Sequence, residues 1–395
     1  MTSKVSSDRI CPACRSGKME VFYHLDSVPS NSCILLDTEQ NARDYPRGTI
    51  ELGFCDSCGF ISNTRFEQGL TEYSGRYEET QGFSPTFRAF HDRLARDLIE
   101  RHDLHGKHVV EIGCGKGEFL HMLCAYGENE GLGFDPAYRE DREQLIRGKR
   151  VEFVQDYFSD VYEVDKTDFV ACKMTLEHIP EVQKFIVSIR ESIHGHPDSV
   201  VFFQVPEAKR ILSECAFEDI YYEHCSYFTP ESLSLLFESV GFDVLDTSIE
   251  YADQYLTIEA RYGTGEPASS AHIDLAALKD MVATFPDRVQ AAIERWRDDV
   301  TERHMNGQKI VLWGSGSKGV SFLTTLRLQD EIEAVVDINP NRQGYFMAGT
   351  GHSIISPEQL REIKPDYVVV MNRVYTDEIR GNLSELGLSP EIGAL

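Results

Sequence analysis

Residues 107–120 read KHVVEIGCGKGEFL, an apolar run followed by a glycine-rich turn and an amphipathic stretch. This order predicts a buried strand, a tight turn and the start of a helix. The turn has the pattern E-x-G-x-G-x-G, and Gly113, Gly115 and Gly117 allow the backbone to approach a ligand closely. Glu111 at the strand end would repel a phosphate and attract an ammonium group. The turn therefore favours S-adenosylmethionine, which carries an amine and a sulfonium.

Acidic residues also follow the next two predicted strands. Asp135 comes after residues 131–134, at the spacing from Glu111 that lets a carboxylate accept both hydroxyls of a ribose. Asp156, with Tyr157 beside it, follows residues 151–154 and is predicted to accept the adenine amine. Strands are further predicted at 169–172 and 200–206, and their alternation with helices predicts a parallel α/β sheet. A plain NAD-binding domain is disfavoured, since this turn lacks G-x-G-x-x-G.

Two C-x₂-C pairs flank the N-terminal segment. They are formed by Cys11 with Cys14 and by Cys55 with Cys58. This spacing predicts a tetrahedral, structural Zn²⁺ site, because four thiolates leave no open position for catalysis. Predicted strands at 18–24 and 49–54 fill the interval as a small β module. His24 and Cys33 lie between the pairs and are alternative ligands, and reduced buried cysteines are the alternative to a metal site.

A second glycine loop lies near the C-terminus. Residues 309–320 read KIVLWGSGSKGV, which predicts a strand, a G-x-G-x-x-G turn and a helix, after a long helical stretch from Ile273 to Asn306. Further strands are predicted around 333–340, with Asp337 at the end, and at 366–372. Alone, this loop indicates NAD. The alternatives are that it binds the phosphates of a substrate or no ligand.

The densest polar cluster occupies residues 217–230, which read FEDIYYEHCSYFTP. A histidine beside carboxylates can act as a general base near neutral pH, which makes His224 a candidate. The alternative is a histidine that orders the loop before the helix that starts near Pro230. A loop at the carboxyl end of the sheet favours the catalytic interpretation, because functional residues gather there.

The order of these motifs resembles one family, the S-adenosylmethionine-dependent C-methyltransferases of nucleotide-linked deoxysugars. The resemblance spans nearly the whole chain and rests on the two C-x₂-C pairs, residues 111–117, 175–179, 221–224 and 314–319. It implies an α/β fold with three parts. Residues 1–68 would form a zinc-binding module, 69–262 a class I methyltransferase domain with a Rossmann-like fold, and 263–395 a second Rossmann-like, substrate-binding domain.

The resemblance also implies roles for individual residues. His224 would be the general base, with Tyr221 and Glu223 as partners, and His178 would come from the Leu-x-His-Ile element. Tyr77, or Tyr73, matches a tyrosine that closes over the site.

The implied reaction starts with removal of a proton beside a ketone. Donors hold the enolate oxygen, and the carbanion attacks the sulfonium methyl group in line. The carboxylate of Glu223 would orient the imidazole of His224.

The substrate side of the site is assigned to Tyr222 and to the C-terminal glycine loop. In that loop the candidates are Gly314, Gly316, Ser317, Lys318 and Gly319. Lys318 and the backbone N–H groups of the loop are expected to meet the phosphates of a nucleotide sugar. One segment departs from the family: residues 251–258 read YADQYLTI where its members have Gly-Gly-Ser.

Net charge and the distribution of apolar residues exclude several classes of partner. The formal charge of −26 argues against nucleic acid or an anionic membrane as partner and favours a small molecule. No apolar run is long enough for a transmembrane helix, and no signal peptide core is present, so the cytoplasm is expected. Three alternatives remain: an O- or N-methyltransferase, an NAD-dependent oxidoreductase that uses the C-terminal domain, and a non-catalytic module that binds S-adenosylmethionine. The oligomeric state is left open.

Overall fold

The computed structural model of the protein describes residues 10–140, 151–159, 162, 164, 166–263 and 275–395. Its strands are β1 (Met19–Pro29), β2 (Arg47–Cys55), β3 (Ile61–Asn63), β4 (His108–Ile112), β5 (Glu130–Phe134), β6 (Val151–Val154), β7 (Phe169–Lys173), β8 (Val200–Pro206), β9 (Ser226–Tyr227), β10 (Phe242–Glu250), β11 (Tyr255–Tyr262), β12 (Ile310–Trp313), β13 (Ala334–Val336), β14 (Ile354–Ile355), β15 (Tyr367–Val370) and β16 (Glu391–Ala394). Its helices are α1 (Glu39–Arg43), α2 (Pro85–His102), α3 (Glu118–Gly127), α4 (Val182–Ser192), α5 (Ala208–Glu214), α6 (Pro230–Ser239), α7 (Ala276–Met305), α8 (Ser317–Leu326), α9 (Leu360–Ile363) and α10 (Thr376–Glu385).

The central sheet has the strand order β10-β11-β8-β7-β4-β5-β6. The five strands from β8 to β6 are parallel, and β11 and β10 extend the sheet antiparallel. Alternate residues face opposite sides. Phe169 and Phe202 pack in a cluster with α2 and α3, whereas Val170 and Phe203 pack in a cluster with α4 and α6. Strands covered on both faces are continuously apolar, as the sequence of β7 and β8 predicts.

The N-terminal sheet has the order β1-β2-β3-β9, and its last strand comes from the middle of the chain. Ser226 and Tyr227 of β9 pair antiparallel with Ser62 and Ile61 of β3. The cysteine pairs pack in the same apolar cluster as Phe228, at the base of α6. The N-terminal module is therefore built into the part of the chain that carries the central sheet, and contacts cross the predicted boundary at residue 68.

The C-terminal part is a five-stranded parallel sheet of order β14-β13-β12-β15-β16. Its strand–turn–helix unit, β12 to α8, forms where the second glycine motif predicts it. The long helix α7 precedes this sheet, and Phe285 on α7 meets Phe22 and Tyr23 of β1 with ring centroids 6.0 and 5.6 Å apart. The first residues of the predicted helix, 273 and 274, lie outside the described residues. No helix within the described ranges has the length and apolarity required to traverse a bilayer.

Candidate active site

A cavity of about 580 Å³ lies between the carboxyl edge of the central sheet and the C-terminal sheet. Its walls come from both glycine loops, from the polar cluster after α5 and from the segment before α2. One continuous space therefore borders the predicted cofactor, catalytic and substrate residues. Of the predicted site residues, Gly117, Tyr222 and Glu223 do not line it.

The first glycine loop is held open by Asp135. The N–H of Gly115 donates to Asp135 Oδ2 at 2.8 Å, and the N–H of Ala137 donates to Oδ1 at 2.7 Å. Gly113, Gly115 and Gly117 have φ values of 71°, 55° and 80°, which side chains rarely adopt. Gly117 shapes the turn without bordering the cavity. Each Asp135 oxygen keeps a lone pair for a ribose hydroxyl.

We expect Gly113→Ala to weaken binding of S-adenosylhomocysteine at least tenfold, measured by calorimetry. A Cβ at position 113 would overlap the Thr175 side chain, so the loop must shift. Gly106→Ala is the matched control, because Gly106 also has a positive φ of 66° but a Cβ there meets no atom of the described chain within 4 Å. Both variants should lose about 1–2 kcal/mol of stability from the left-handed backbone. Equal affinities of the two variants would contradict the prediction.

A buried carboxylate and a buried lysine lie beside this loop. Glu111 is 2% exposed, its Oε2 has no hydrogen-bond partner among the described residues, and burial raises its pKa to about 7. Lys173 Nζ lies 3.0 Å from Nε2 of His91 and 3.8 Å from the Phe119 ring centroid, and burial lowers its pKa to about 8. An unpartnered carboxylate oxygen fits an ammonium group. No motif marks Lys173 or His91 in the sequence.

Asp156 and Tyr157 lie at the rim of the cavity. Tyr157 is 56% exposed. The carboxylate of Asp156 accepts hydrogen bonds from the Tyr157 N–H at 2.8 Å and the Tyr162 hydroxyl at 2.7 Å, and these two donors lower its pKa. The Asp156 side chain is thus exposed to solvent, whereas the predicted adenine contact implies a more enclosed position.

Two buried histidines form the catalytic end of the cavity. His224 is 3% exposed, its Nε2 lies 2.6 Å from the Tyr221 hydroxyl, and its Nδ1 has no partner among the described residues. The ring of His178 lies 4.9 Å from that of His224, and its Nδ1 lies 2.9 Å from the Tyr73 hydroxyl. Burial lowers the pKa of His178 to about 4 and that of His224 well below its usual value. Both rings are neutral at pH 7.

The predicted role of Glu223 needs correction. Its carboxylate accepts from the N–H and hydroxyl of Ser32 and, at 3.0 Å, from the Asn31 side chain, so it ties the loop to the N-terminal module. The carboxylate near the imidazole of His224 belongs to Glu177, whose Oε1 lies 3.9 Å from Nε2. Glu177 is the residue that the sequence did not single out: it is the unassigned x of the Leu-x-His-Ile element.

Tyr222 is also placed differently from the prediction. Its hydroxyl accepts from the N–H of Glu67 at 2.8 Å, and its ring packs on Phe66 outside the cavity. The ring lies against Gly48, where a side chain would overlap it. This contact with the N-terminal sheet turns Tyr222 away from the substrate side.

The tyrosines before α2 line the cavity and are tied to the cofactor loop. Tyr73 and Tyr77 pack edge to face with centroids 5.2 Å apart, and Tyr77 is buried. Lys116, between the glycines of the first loop, donates from Nζ to the backbone oxygens of Tyr77 and Ala137, each at 3.0 Å. The segment predicted to close over the site is thus anchored to the cofactor loop.

The second glycine loop contributes all five of its predicted residues to the cavity wall. Lys318, however, is already paired: its Nζ donates to Asp219 Oδ2 at 2.7 Å, and Arg210 pairs with the same carboxylate. Asp337 accepts from the N–H of Ser315 at 3.0 Å, as Asp135 does in the first loop. A phosphate would therefore compete with Asp219 for Lys318.

Residues 251–258 close one wall between the two sheets. The side-chain amides of Gln254 and Asn372 exchange two hydrogen bonds, at 3.1 and 2.9 Å, and the Tyr251 hydroxyl donates to that of Tyr375 at 2.9 Å. The departure from the family pattern thus places bulky side chains where that pattern has glycines.

The four N-terminal cysteines form one cluster. Cys11 and Cys58, and likewise Cys14 and Cys55, have sulfurs 3.7 Å apart, and all four sulfurs lie within 4.8 Å of one another. A tetrahedral site with metal–sulfur bonds of about 2.3 Å has edges of about 3.8 Å, so the cluster could hold a metal ion.

The alternative ligands do not join this cluster. The imidazole of His24 pairs with Asp26 at 2.8 Å, and Cys33 lines the cavity.

Comparisons with known proteins follow the same division of the chain. One protein-family model, described as a methyltransferase domain, matches residues 87–247, and another, the C-methyltransferase C-terminal domain, matches 271–388. The chain is 28% identical over 323 residues to the C-methyltransferase NovU of Streptomyces niveus, covering 75% of this chain and 74% of that protein.

Other similarities cover less of the chain. A ubiquinone biosynthesis O-methyltransferase of Salmonella paratyphi A is 28% identical over 136 residues, which are 33% of this chain and 55% of that protein. Among solved structures, the 1,6-didemethyltoxoflavin-N1-methyltransferase of Burkholderia thailandensis has 17% identity and a TM-score of 0.35, covering 45% of this chain and 81% of that one.

Proposed function

The chain belongs to the S-adenosylmethionine-dependent C-methyltransferases, and from this premise we propose that it methylates a carbon atom of a nucleotide-linked keto-deoxysugar with His224 as general base. The predicted C-methyltransferase family and α/β methyltransferase fold are confirmed, and the nucleotide-linked sugar is part of the proposal. The observation that carries the proposal is the buried, neutral imidazole of His224, which borders the same cavity as the first glycine loop.

The cofactor would lie along the first glycine loop. Glu111 offers an unpartnered oxygen to its ammonium group, and Asp135 offers its remaining lone pairs to the ribose hydroxyls. Asp156 and Tyr157 would border the adenine at the rim. When bound, S-adenosylmethionine supplies the electrophilic methyl group.

His224 would remove the proton beside the ketone. Burial keeps the imidazole neutral at pH 7 and leaves Nδ1 without a protein partner, so a lone pair is available to a substrate. The hydroxyls of Tyr221 and Tyr77 would supply donors to the enolate oxygen. The predicted donor role of His178 needs correction, because the neutral ring donates its one N–H, at Nδ1, to the backbone oxygen of Glu223 at 3.1 Å. His224 and Tyr77 are buried, and hydrogen bonds are stronger where protein groups replace water.

The nucleotide would lie against the second glycine loop. Helix α8 starts at Ser317 without a side-chain cap, so its first N–H groups are open to an anion. Lys318 would exchange Asp219 for a phosphate oxygen. The acceptor is accordingly a small molecule, since ten acidic side chains around the cavity would repel a polyanion such as nucleic acid.

The cysteine cluster would hold a structural Zn²⁺. Four sulfur ligands leave no position for water or substrate, so the metal would stabilise the fold. Gly17 allows the turn after Cys14 to lie close to the turn that holds Cys55 and Cys58, because a Cβ at position 17 would overlap the Cys55 sulfur. Metal analysis of the purified protein should find about one zinc ion per chain.

The test is a pair of measurements on nucleotide-linked keto sugars in D₂O. Without cofactor, the wild-type protein should exchange the proton beside the ketone; with cofactor, the product should carry a new carbon-bound methyl group, read by NMR. Methylation without exchange, at oxygen or nitrogen, would support the heteroatom alternative that the Salmonella relative suggests. Tight NAD(H) binding without S-adenosylmethionine binding in calorimetry would favour the oxidoreductase alternative.

A further inference from the structure

The cavity contains a carboxyl group that the proposed reaction does not yet use. Glu177 is 0% exposed, lines the cavity, and has no hydrogen-bond partner for either Oε1 or Oε2 among the described residues. A buried carboxylate without partners is costly, by several kcal/mol on typical scales. A buried carboxyl group of this kind is expected where a change in its protonation state takes part in the function of the site.

Its neighbours indicate that use. Glu177 Oε1 faces Nε2 of His224 at 3.9 Å, within ion-pair reach, and the Tyr221 hydroxyl lies nearer to the same nitrogen, at 2.6 Å. No arginine or lysine pairs with Glu177 among the described residues. The backbone places the two groups together, since the N–H of Cys225 donates to the backbone oxygen of Glu177 at 2.9 Å. The carboxyl thus stands behind the ring that would receive the substrate proton.

We propose that Glu177 acts through His224, holding as a carboxylic acid the proton that the imidazole takes from the substrate. This inference rests on the proposed function. The substrate C–H bond breaks, its electron pair forms the enolate, and the proton goes to the free nitrogen of His224. The N–H on the other nitrogen, Nε2, donates to the Tyr221 hydroxyl before the reaction and passes its proton to Glu177 Oε1 as the contact with that carboxylate shortens. The enolate carbon then takes the methyl group as the sulfur–methyl bond breaks, and one proton per turnover remains on Glu177 until the products leave.

Two physical points support this path. A buried imidazolium needs a counter-charge, and the Glu177 carboxylate would provide it, drawing the 3.9 Å contact towards hydrogen-bond length in the complex. Burial raises the pKa of Glu177 to about 8, so the carboxylate that forms above this pH is a stronger base than an ordinary carboxylate.

Other titratable groups face this pair from several elements. They are His178, Tyr73, Tyr221, Tyr255, Cys172, Cys225, Asp219 and Lys318. The tyrosines and cysteines among them have raised pKa values and are neutral at pH 8. The Asp219 carboxylate pairs with both Lys318 and Arg210, and these two cations, against the effect of burial, lower its pKa to about 2. Among these groups Glu177 is therefore the one expected to change charge near pH 8. Lys173, the other cavity residue with a pKa of about 8, is retained in Glu177→Gln, so the variant separates the two.

The test is Glu177→Gln in the full-length protein, with kcat/KM for methyl transfer measured from pH 6 to 10. The wild-type rate should rise with pH through about 8, because the carboxylate must be ionised to accept the proton. In the variant this ascending limb should vanish and the rate should fall about a hundredfold, in line with losses of proton-transfer groups. Exchange of the substrate proton in D₂O should slow in parallel, with unchanged affinity for S-adenosylhomocysteine.

Glu218→Gln is the matched control. Glu218 is also a buried carboxyl whose pKa burial raises to about 7, but it does not line the cavity. The control should keep the wild-type pH profile.

Three results would overturn the inference: a limb near pH 8 that persists in Glu177→Gln, equal losses in both variants, or a second metal ion per chain that is lost with Glu177. If His224→Asn keeps full activity instead, the proposed base itself fails. If Glu177→Gln keeps full activity and His224→Asn does not, the proposed function stands without this inference.

Discussion

Cys11→Ala should unfold the N-terminal sheet and abolish methyl transfer together. Three thiolates hold zinc far less tightly than four, and structural zinc sites contribute about 10–16 kcal/mol of apparent binding energy in small zinc domains. Since the stability of whole proteins is only about 5–15 kcal/mol, loss of the metal should be severe. We expect a midpoint of thermal unfolding lower by more than 10 °C and a zinc content near zero.

The loss of activity has a structural cause. The N-terminal sheet includes β9, which follows His224 directly, and Ser32 with Asn31 holds the Glu223 carboxylate. Damage to the sheet therefore displaces the proposed base. Cys124→Ala is the matched control, because Cys124 is equally buried on α3 but lies outside the cluster. A Cys11→Ala protein that stays folded and active without metal would disprove the zinc proposal.

His224→Asn should reduce kcat about 10²- to 10⁴-fold, the usual contribution of a general base. Asparagine keeps a polar atom near the position of Nδ1 but cannot accept a proton at pH 7. The exchange of the substrate proton in D₂O should stop, whereas affinity for S-adenosylhomocysteine should stay within twofold, because the cofactor residues lie on the first glycine loop.

His102→Asn serves as the control for this substitution. His102 is a nearly buried histidine whose Nε2 lies 2.6 Å from Glu259, and it does not line the cavity. Its replacement should lower stability without changing the rate of exchange. A His224→Asn protein that exchanges the proton at the wild-type rate would remove His224 from the proposed reaction.

The sequence predicts the features that are local. Each glycine loop, with its strand and helix, forms where the motif lies, because positive φ values at Gly113 and Gly115 follow from residue type. Asp135 and Asp337 lie at strand ends, as predicted, because each directly follows a short apolar run that forms a strand. The thiolate cluster also follows from spacing, since each C-x₂-C pair needs only one turn.

Features that depend on contacts between residues far apart in the sequence cannot be predicted in this way. Glu223 and Tyr222 are adjacent to His224 in sequence, yet both turn to the N-terminal module. Lys318 pairs with Asp219, which lies 99 residues earlier in the chain. The missing partner of Glu177 is a property of its surroundings, and only the assembled fold reveals it.

The pairing of β9 with β3 has a consequence for how the chain reaches this fold. During synthesis the cysteine knuckles and β1 to β3 emerge first, but the sheet cannot be completed until Tyr227 leaves the ribosome. In the interval the edge of β3 is open to pairing with other chains. Early metal capture would hold this half-built sheet in register, and pairings between such distant segments form slowly. With the proposed zinc site, zinc supply during translation should therefore govern how much of the newly made protein escapes aggregation.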